Sequence, residues 1–189
     1  MTLLEPVSTF RHAMGARSDA EKDHFYPTPP AGTRALLSVE KFSGTIWEPA
    51  CGEGHMSEVL IGAGYDVIST DLVDRGYGTP RVDFLMESRA LAPNIVTNPP
   101  FKLGEQFARK ALDLTTGKVA LLCRLMWLEG GERRKLFESA PLARVWVFSK
   151  RLGMAKAEVA SKGGMVPFAW FVFEHGHKGP PTIGWVNPI

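Results

Sequence analysis

The sequence has few cysteines and no long apolar run. Cys51 and Cys123 are its only cysteines, and neither belongs to a Cys-x-x-Cys pair or has a histidine-rich neighbourhood. Their scarcity disfavours a zinc site and a disulfide framework. No stretch approaches the roughly 20 consecutive apolar residues of a membrane span, and the residues after Met1 lack the layout of a signal peptide. We therefore expect a soluble, cytoplasmic protein with no metal site and no membrane partner.

The length and composition are those of one globular domain. The 189 residues are 44% hydrophobic and 22% charged, which is enough apolar content for a substantial core. Residues 1–23 show no periodic pattern, so we expect a flexible arm there. The remainder, residues 24–189, is predicted to form a single domain.

Charge is distributed unevenly along the chain. Residues 1–97 contain 8 lysines and arginines against 13 acidic residues, whereas residues 98–189 contain 14 against 7, so the net charges are −5 and +7. Basic side chains that neutralise phosphates release counterions, and a basic half therefore favours a polyanionic partner. Solvated helix faces would give the same asymmetry, but the cations cluster in segments that also carry aromatics and glycines.

Short apolar runs alternate with longer amphipathic ones, a pattern typical of βαβ units around a mostly parallel sheet. The predicted strands are residues 45–48, 66–70, 94–97, 119–123, 145–148 and 169–173. The predicted helices are residues 33–39, 56–63, 104–114 and 132–139. Between the last two strands, residues 150–167 combine basic side chains with glycines, and we expect a basic loop in that segment.

Small residues follow the first predicted strand in Glu48-Pro49-Ala50-Cys51-Gly52-Glu53-Gly54. They allow a sharp turn and a close approach to a ligand at the carboxyl end of the strand. The spacing matches neither Gly-x-Gly-x-x-Gly nor Gly-x-x-x-x-Gly-Lys, which disfavours pyrophosphate or nucleoside triphosphate binding. Asp71 ends the next strand and favours ribose binding over a helix cap. Asp83-Phe84 fits adenine binding as well as it fits a turn aspartate beside a core ring.

The segment Asn98-Pro99-Pro100-Phe101 follows a predicted strand and combines an amide, two prolines and an aromatic ring. The prolines fix φ and donate no backbone hydrogen bond, so the turn is rigid and its carbonyls are held outward. If the Asn98 oxygen and the Pro99 carbonyl accept both hydrogens of an aromatic amino group, its lone pair is directed at a methyl donor. Phe101 can then stack on a flipped-out base. The strand-end position favours this catalytic interpretation over an ordinary turn.

In these motifs and their order, the chain resembles the class I S-adenosylmethionine-dependent methyltransferases, specifically DNA enzymes that methylate N6 of adenine. Phe25-Tyr26-Pro27-Thr28-Pro29-Pro30 looks like the N-terminal cofactor motif of that family, Glu48 to Gly54 like its glycine-rich motif and Asn98 to Phe101 like its catalytic tetrapeptide. This order is that of the gamma arrangement. The resemblance covers about residues 24–125 and implies a Rossmann-like α/β fold, with a mostly parallel central sheet flanked by helices.

The resemblance also implies roles for individual positions. Tyr26 and Thr28 would contact the methionine part of S-adenosylmethionine, Asp71 would hold its ribose, and Asp83-Phe84 would hold its adenine. Catalysis would rest on Asn98, Pro99, Pro100 and Phe101. The implied cofactor-binding residues are Tyr26, Thr28, Glu48, Pro49, Ala50, Cys51, Gly52, Asp71, Leu72, Asp83, Phe84 and Asn98.

The larger members of this family carry a separate target-recognition domain, which we do not expect in this chain. Compact enzymes of this kind occur in bacteriophages and prophages, and a short or relaxed recognition sequence is the expectation. The candidate DNA-contacting residues are Arg124, Trp127, Lys150, Arg151, Lys156 and Lys162. For Trp127, a stacking platform, a wedge and a core position all remain open.

Three alternatives stay open beside DNA adenine methylation. The same tetrapeptide suits an adenine in RNA or a glutamine amide in a protein, and a catalytically silent nucleic-acid-binding subunit could keep the fold. The basic C-terminal half argues against a protein substrate but does not separate DNA from RNA. The intact tetrapeptide argues against the silent subunit.

Overall fold

A computed structural model describes residues 25–154 and 166–189. The predicted arm and two candidate DNA contacts of the basic loop, Lys156 and Lys162, lie outside the described residues. None of the described helices is long and apolar enough to cross a membrane.

Helices and strands alternate along most of the described chain. The α-helices are α1 (Pro30–Val39), α2 (His55–Gly62), α3 (Gly104–Leu114) and α4 (Gly131–Ser139). The strands are β1 (Ile46–Glu48), β2 (Val67–Asp71), β3 (Thr79–Pro80), β4 (Asn94–Thr97), β5 (Lys118–Arg124), β6 (Leu142–Phe148), β7 (Phe168–Glu174) and β8 (Thr182–Val186). Short 3-10 turns cover Phe84–Met86, Phe101–Leu103 and Leu125–Leu128.

The strands form one sheet in the order β3-β2-β1-β4-β5-β7-β6-β8. All neighbouring pairs are parallel except those of β7, which runs antiparallel to both β5 and β6. The carboxyl ends of β1, β2, β4, β5 and β6 therefore lie along one edge of the sheet. The structure confirms the predicted Rossmann-like α/β architecture, a mostly parallel central sheet flanked by helices.

The sheet is covered on both faces, which explains why its central strands are continuous apolar runs. Adjacent residues of β4 belong to different hydrophobic clusters, Ile95 to one and Val96 to the other. The first cluster includes Phe107 and Ala111 of α3, and the second includes Leu36 of α1, with further members from α2 and α4 divided between them. This two-sided packing fixes the strand ends from which the functional loops emerge.

Two differences from the predicted elements have physical causes. Helix α1 begins at Pro30 rather than residue 33, since proline is compatible with the first turn of a helix. Strand β6 begins at Leu142 rather than residue 145 and includes Arg144, whose charge is paired with Glu40 and Glu174. The short strands β3 and β8 were not predicted.

Candidate active site

A pocket opens at the carboxyl ends of β1, β2 and β4, and we call it the strand-edge pocket. Its walls contain residues 25–28 before α1, residues 48–51 after β1, Asp71 and Leu72 after β2, Asp83 and Phe84, and residues 98–101 after β4. These segments are far apart in the sequence, and the sheet order brings them together. Of the predicted cofactor-binding residues, all but Gly52 line the pocket.

Gly52 contributes through its backbone to the turn that forms one wall. Its N–H donates to Asp71 Oδ2 over 2.8 Å, and the N–H of Val73 donates to Asp71 Oδ1 over 2.8 Å. Gly52 has φ of +57°, and the Phe25 ring fills the space that a side chain would need. Asp71 therefore holds the glycine turn in place, while its carboxylate oxygens keep further acceptor capacity for a ligand.

Glu48 lines the strand-edge pocket with 2% of its surface exposed. Ser57 Oγ donates a hydrogen bond to Glu48 Oε2 and lies 2.6 Å from Ser69 Oγ. Burial raises the pKa of Glu48 to about 8, and the nearby charge of Asp71 acts in the same direction. Glu48 is thus mostly protonated at neutral pH, and a cationic ligand group beside it would favour its ionised form.

Asp83 and Phe84 have the turn and core contacts that one of the two open interpretations expected, and adenine binding stays a prediction. Asp83 Oδ1 accepts a hydrogen bond from the Leu85 N–H over 3.0 Å, so the aspartate begins a 3-10 turn. The Phe84 ring packs on Trp47 and Phe107, with ring centroids 5.1 and 4.8 Å apart. Both residues nevertheless line the strand-edge pocket.

The Asn98 side chain is oriented by the segment that precedes α1. Its Nδ2 donates to the Tyr26 carbonyl over 3.3 Å and to Thr28 Oγ1 over 3.1 Å. A carbonyl can only accept, so the amide nitrogen must face this segment. Asn98 Oδ1 is buried and has no hydrogen-bond partner among the described residues. The structure thus presents an oriented acceptor with unmet capacity in the pocket.

The Phe101 ring is held in an aromatic and cationic cluster. Tyr26 and Phe168 lie 5.2 and 5.7 Å away between ring centroids. The guanidinium carbon of Arg124 lies 4.3 Å from the centre of the Phe101 ring. Arg124, a candidate DNA contact, is therefore beside the tetrapeptide, and Phe168 joins the cluster although no sequence pattern indicated this.

Of the alternatives left open for Trp127, the structure favours the core position over a stacking platform or wedge. Its side chain is 7% exposed and packs edge-on against Phe137 and Phe171, at centroid distances of 5.2 and 4.8 Å. In the 3-10 turn that follows β5, the side chain of Trp127 is the buried one. The neighbouring Met126 and Leu128 are the exposed side chains of this turn.

Several cations of the basic half are neutralised within the fold. Glu40 pairs with Lys118 over 2.8 Å and also with Arg144. Further pairs join Arg109 to Glu105, Arg134 to Glu138 and Lys135 to Glu132. In contrast, Lys150 and Arg151 are exposed directly after β6, on the sheet edge that bears the pocket.

The pocket is also lined by residues that the sequence did not predict as site residues. They are Phe25, Pro27, His55, Met56, Arg75, Val82, Leu85, Leu103 and Phe107. Phe25 and Pro27 stand inside the quoted N-terminal motif and could have been found from it. Leu103 and Phe107 follow the tetrapeptide at helical spacing, and that spacing predicts only side chains that face the core.

Comparisons with known proteins support the fold. No protein-family model matches the sequence, and no curated protein matches it significantly. A protein assigned as the modification subunit of a type I restriction enzyme from Vibrio vulnificus has a TM-score of 0.58 and 14% identity, over 95% of this chain and 50% of that one. A protein assigned as an RNA methyltransferase from Pyrococcus horikoshii has a TM-score of 0.56 and 13% identity, over 77% and 81%. A TehB-like SAM-dependent methyltransferase from Corynebacterium glutamicum has a TM-score of 0.52 and 18% identity, over 90% and 100%.

These similarities define a class of fold. The chain has the fold of class I methyltransferases, and it spans about half the length of the Vibrio protein. At this level of identity, activity and substrate have to be argued from the pocket itself.

Proposed function

We propose that this protein is an S-adenosylmethionine-dependent methyltransferase that methylates the N6 amino group of adenine in DNA. The observation that carries the proposal is the buried, unpartnered Oδ1 of Asn98 in the strand-edge pocket. An acceptor that is held in place without a partner among the described residues suits an amino group supplied by a substrate.

The pocket fits the proposed cofactor by the chemistry of its donors and acceptors. Asp71 has acceptor capacity for ribose hydroxyls beyond its two backbone hydrogen bonds. Asp83 and Phe84 offer a carboxylate and a ring for adenine, and Glu48, Tyr26 and Thr28 would surround the methionine part. Pro49, Ala50, Cys51 and Leu72 complete the apolar wall.

The cofactor would supply an electrophilic methyl group on a sulfonium. Asn98 Oδ1 and the Pro99 carbonyl accept the two hydrogens of the adenine amino group, which biases its nitrogen toward tetrahedral geometry. With its hydrogens held in this way, the nitrogen would accept the methyl group that the cofactor supplies, and its excess proton would leave to solvent. Pro100 stiffens this turn, since its carbonyl accepts from the Leu103 N–H over 2.8 Å. Asn98 positions the nucleophile and is not a base.

Base binding is assigned to Phe101 and the cations around it. Base–aromatic stacking contributes about 1–3 kcal/mol per base in single-strand systems. Arg124 occupies one side of the Phe101 ring, and a guanidinium beside a stacked base can pair with a phosphate or a base edge. Lys150 and Arg151 supply exposed positive charge on the same edge of the sheet.

DNA is proposed on the resemblance of the tetrapeptide and the upstream motifs to DNA adenine methyltransferases. A protein assigned as the modification subunit of a type I restriction enzyme shares the fold over 95% of this chain, which is consistent with DNA. A protein assigned as an RNA methyltransferase shares it too, so RNA is the principal competing polymer. A glutamine amide would use the same acceptors on Asn98 and Pro99, but it would leave the exposed cations unexplained.

The test is label transfer from tritiated S-adenosylmethionine to adenine-rich DNA, to matched RNA and to protein, with Asn98→Ala as the inactive control. We expect label at N6 of adenine in DNA that depends on Asn98. Label only in RNA or protein, or only at cytosine, would overturn the proposed substrate. Calorimetry with S-adenosylhomocysteine separates this from a silent subunit, which would bind no cofactor at high micromolar concentration.

A further inference from the structure

Arg75 places a positive charge in the wall of the strand-edge pocket. Among the described residues that line this pocket, three are acidic, namely Glu48, Asp71 and Asp83, whereas Arg75 is the one arginine or lysine. It lies in the loop after β2 and belongs to none of the motifs that pointed to the function. The three carboxylates suit cationic groups and hydrogen-bond donors of a ligand, whereas Arg75 suits an anionic group.

The guanidinium of Arg75 is held by a ring contact that uses no hydrogen-bond donor. Its central carbon lies 4.3 Å from the centre of the Phe25 ring, a cation–π distance. Phe25 also covers Gly52, which anchors the pair to the glycine turn of the pocket. The ring contact positions the guanidinium without using its N–H groups as hydrogen-bond donors.

Arg75 Nε is buried and has no hydrogen-bond partner among the described residues. A buried donor of a charged group without an acceptor is costly, so an acceptor supplied by a ligand would stabilise this arrangement. A planar guanidinium is best matched by a carboxylate, which it can bind through two parallel hydrogen bonds.

We propose that Arg75 binds the carboxylate of the methionine part of the cofactor, an inference that rests on the proposed function. Of the charged groups of S-adenosylmethionine, the carboxylate is the one anion, and the ammonium and sulfonium are cations. The carboxylates of the pocket complement the cations, and Arg75 complements the anion. Arg75 is thus a specificity-determining residue for an intact amino-acid end on the cofactor.

The test compares two ligands in two proteins, so that the effect of the carboxylate is isolated from general changes in the pocket. Calorimetry measures the Kd of S-adenosylhomocysteine and of its decarboxylated analogue. We expect the wild-type protein to prefer the intact ligand by about 10- to 100-fold. In Arg75→Gln this ratio should fall close to one, and Arg75→Lys should be intermediate because lysine keeps the charge without the planar fork.

Two matched variants serve as controls. Arg89→Gln removes an exposed arginine outside the pocket and should keep the wild-type ratio. Phe25→Leu removes the ring but keeps an apolar cover over Gly52. It should raise the Kd of the two ligands by similar factors, whereas Arg75→Gln should raise mainly the Kd of the intact ligand. Circular dichroism and melting curves establish that each variant is folded, and Arg75→Lys carries the comparison if Arg75→Gln does not fold.

The outcomes separate this inference from the function on which it rests. An unchanged ratio in Arg75→Gln overturns the assignment of the carboxylate to Arg75, even if both affinities fall because Phe25 has lost its partner. Wild-type protein that binds neither ligand overturns the proposed function, and the role of Arg75 with it. A ratio near one in the wild type, with both ligands bound tightly, overturns only the role of Arg75.

Discussion

Asn98 donates a hydrogen bond from Nδ2 to Thr28 Oγ1 over 3.1 Å, although 70 positions separate the two residues in the sequence. The bond joins the turn after β4 to the segment before α1, and the Tyr26 carbonyl reinforces it. The nitrogen of the amide is thereby used to fix the side chain, and the oxygen is left for a ligand. A segment that the sequence associates with cofactor binding thus also orients the proposed catalytic residue.

Replacing Asn98 should greatly slow methyl transfer and affect cofactor binding less, because the proposed partner of Asn98 Oδ1 is the substrate amino group. We expect Asn98→Ala to lower kcat by about 100-fold or more, in line with the loss of one positioned hydrogen-bonding group in other active sites. The measurement is steady-state label transfer to DNA, with calorimetry of S-adenosylhomocysteine on the same variant.

Thr28→Val provides the matched comparison, because it removes one partner of Asn98 Nδ2 without changing side-chain volume much. We expect a smaller loss of kcat than in Asn98→Ala, since the Tyr26 carbonyl still orients the amide. An Asn98→Ala variant with wild-type kcat would remove Asn98 from the mechanism.

Glu48 should make the stability of the free protein depend on pH. Burial raises its pKa to about 8 from 4.5, so the folded protein keeps this proton to higher pH than the unfolded chain does. The resulting stabilisation is complete below pH 4.5 and is lost as the pH rises through about 8. Glu48→Gln should therefore melt at a higher temperature than the wild type above pH 8, with a smaller difference at acidic pH.

Melting curves between pH 5 and 9 measure this effect, and Glu53→Gln serves as a control because Glu53 is exposed in the same turn. Parallel pH profiles for Glu48→Gln and wild type would contradict it. In calorimetry, Glu48→Gln should bind the proposed cofactor more weakly, since a neutral amide cannot compensate the ammonium group.

The helices and strands around the pocket could be predicted where a pattern of neighbouring residues determines them. Residues 94–97 and 104–114 were predicted with the bounds that the structure has, because an apolar run ends at a proline-rich turn and an amphipathic helix follows it. The fold itself and the meeting of the strand ends follow from such elements and their order. The assignments of individual site residues remain predictions.

The features that were missed depend on distant partners. Arg144 looks like a strand terminator in the sequence, yet Glu40, 104 positions away, neutralises it within β6. Strand β8 is mostly exposed, and its backbone hydrogen bonds in the sheet are made with β6. Arg75 belongs to no motif, and its contact with Phe25 in the pocket wall is visible only in the fold.

The exposed cations after β6 should contribute to DNA affinity, whereas paired cations should not. We expect Lys150→Met and Arg151→Met to weaken binding and to reduce the slope of log K against log salt by about 0.9 for each phosphate that is no longer neutralised. Fluorescence anisotropy with labelled duplex DNA at several salt concentrations measures both quantities.

Arg134→Met is the matched control, because Arg134 is exposed but pairs with Glu138 over 2.6 Å on α4. Its salt slope should stay at the wild-type value. Equal reductions of DNA affinity in all three variants would show that net charge alone governs binding. The sheet edge that bears the pocket would then not be the DNA-binding surface.

Trp127 and Met126 should separate stability from substrate binding, since adjacent side chains of one turn point in opposite directions. Trp127 is 7% exposed and Met126 is 60% exposed. Trp127→Phe should therefore lower the free energy of unfolding by a few kcal/mol, and Trp127→Ala by about 3–5 kcal/mol. Met126→Ala should change it by less than about 0.5 kcal/mol.

Urea titrations give these free energies of unfolding, and fluorescence anisotropy gives the Kd for DNA. A folded Trp127→Phe protein should keep its DNA affinity because the ring lies in the core against Phe171. A large loss of affinity at unchanged stability would instead return Trp127 to the surface that contacts DNA.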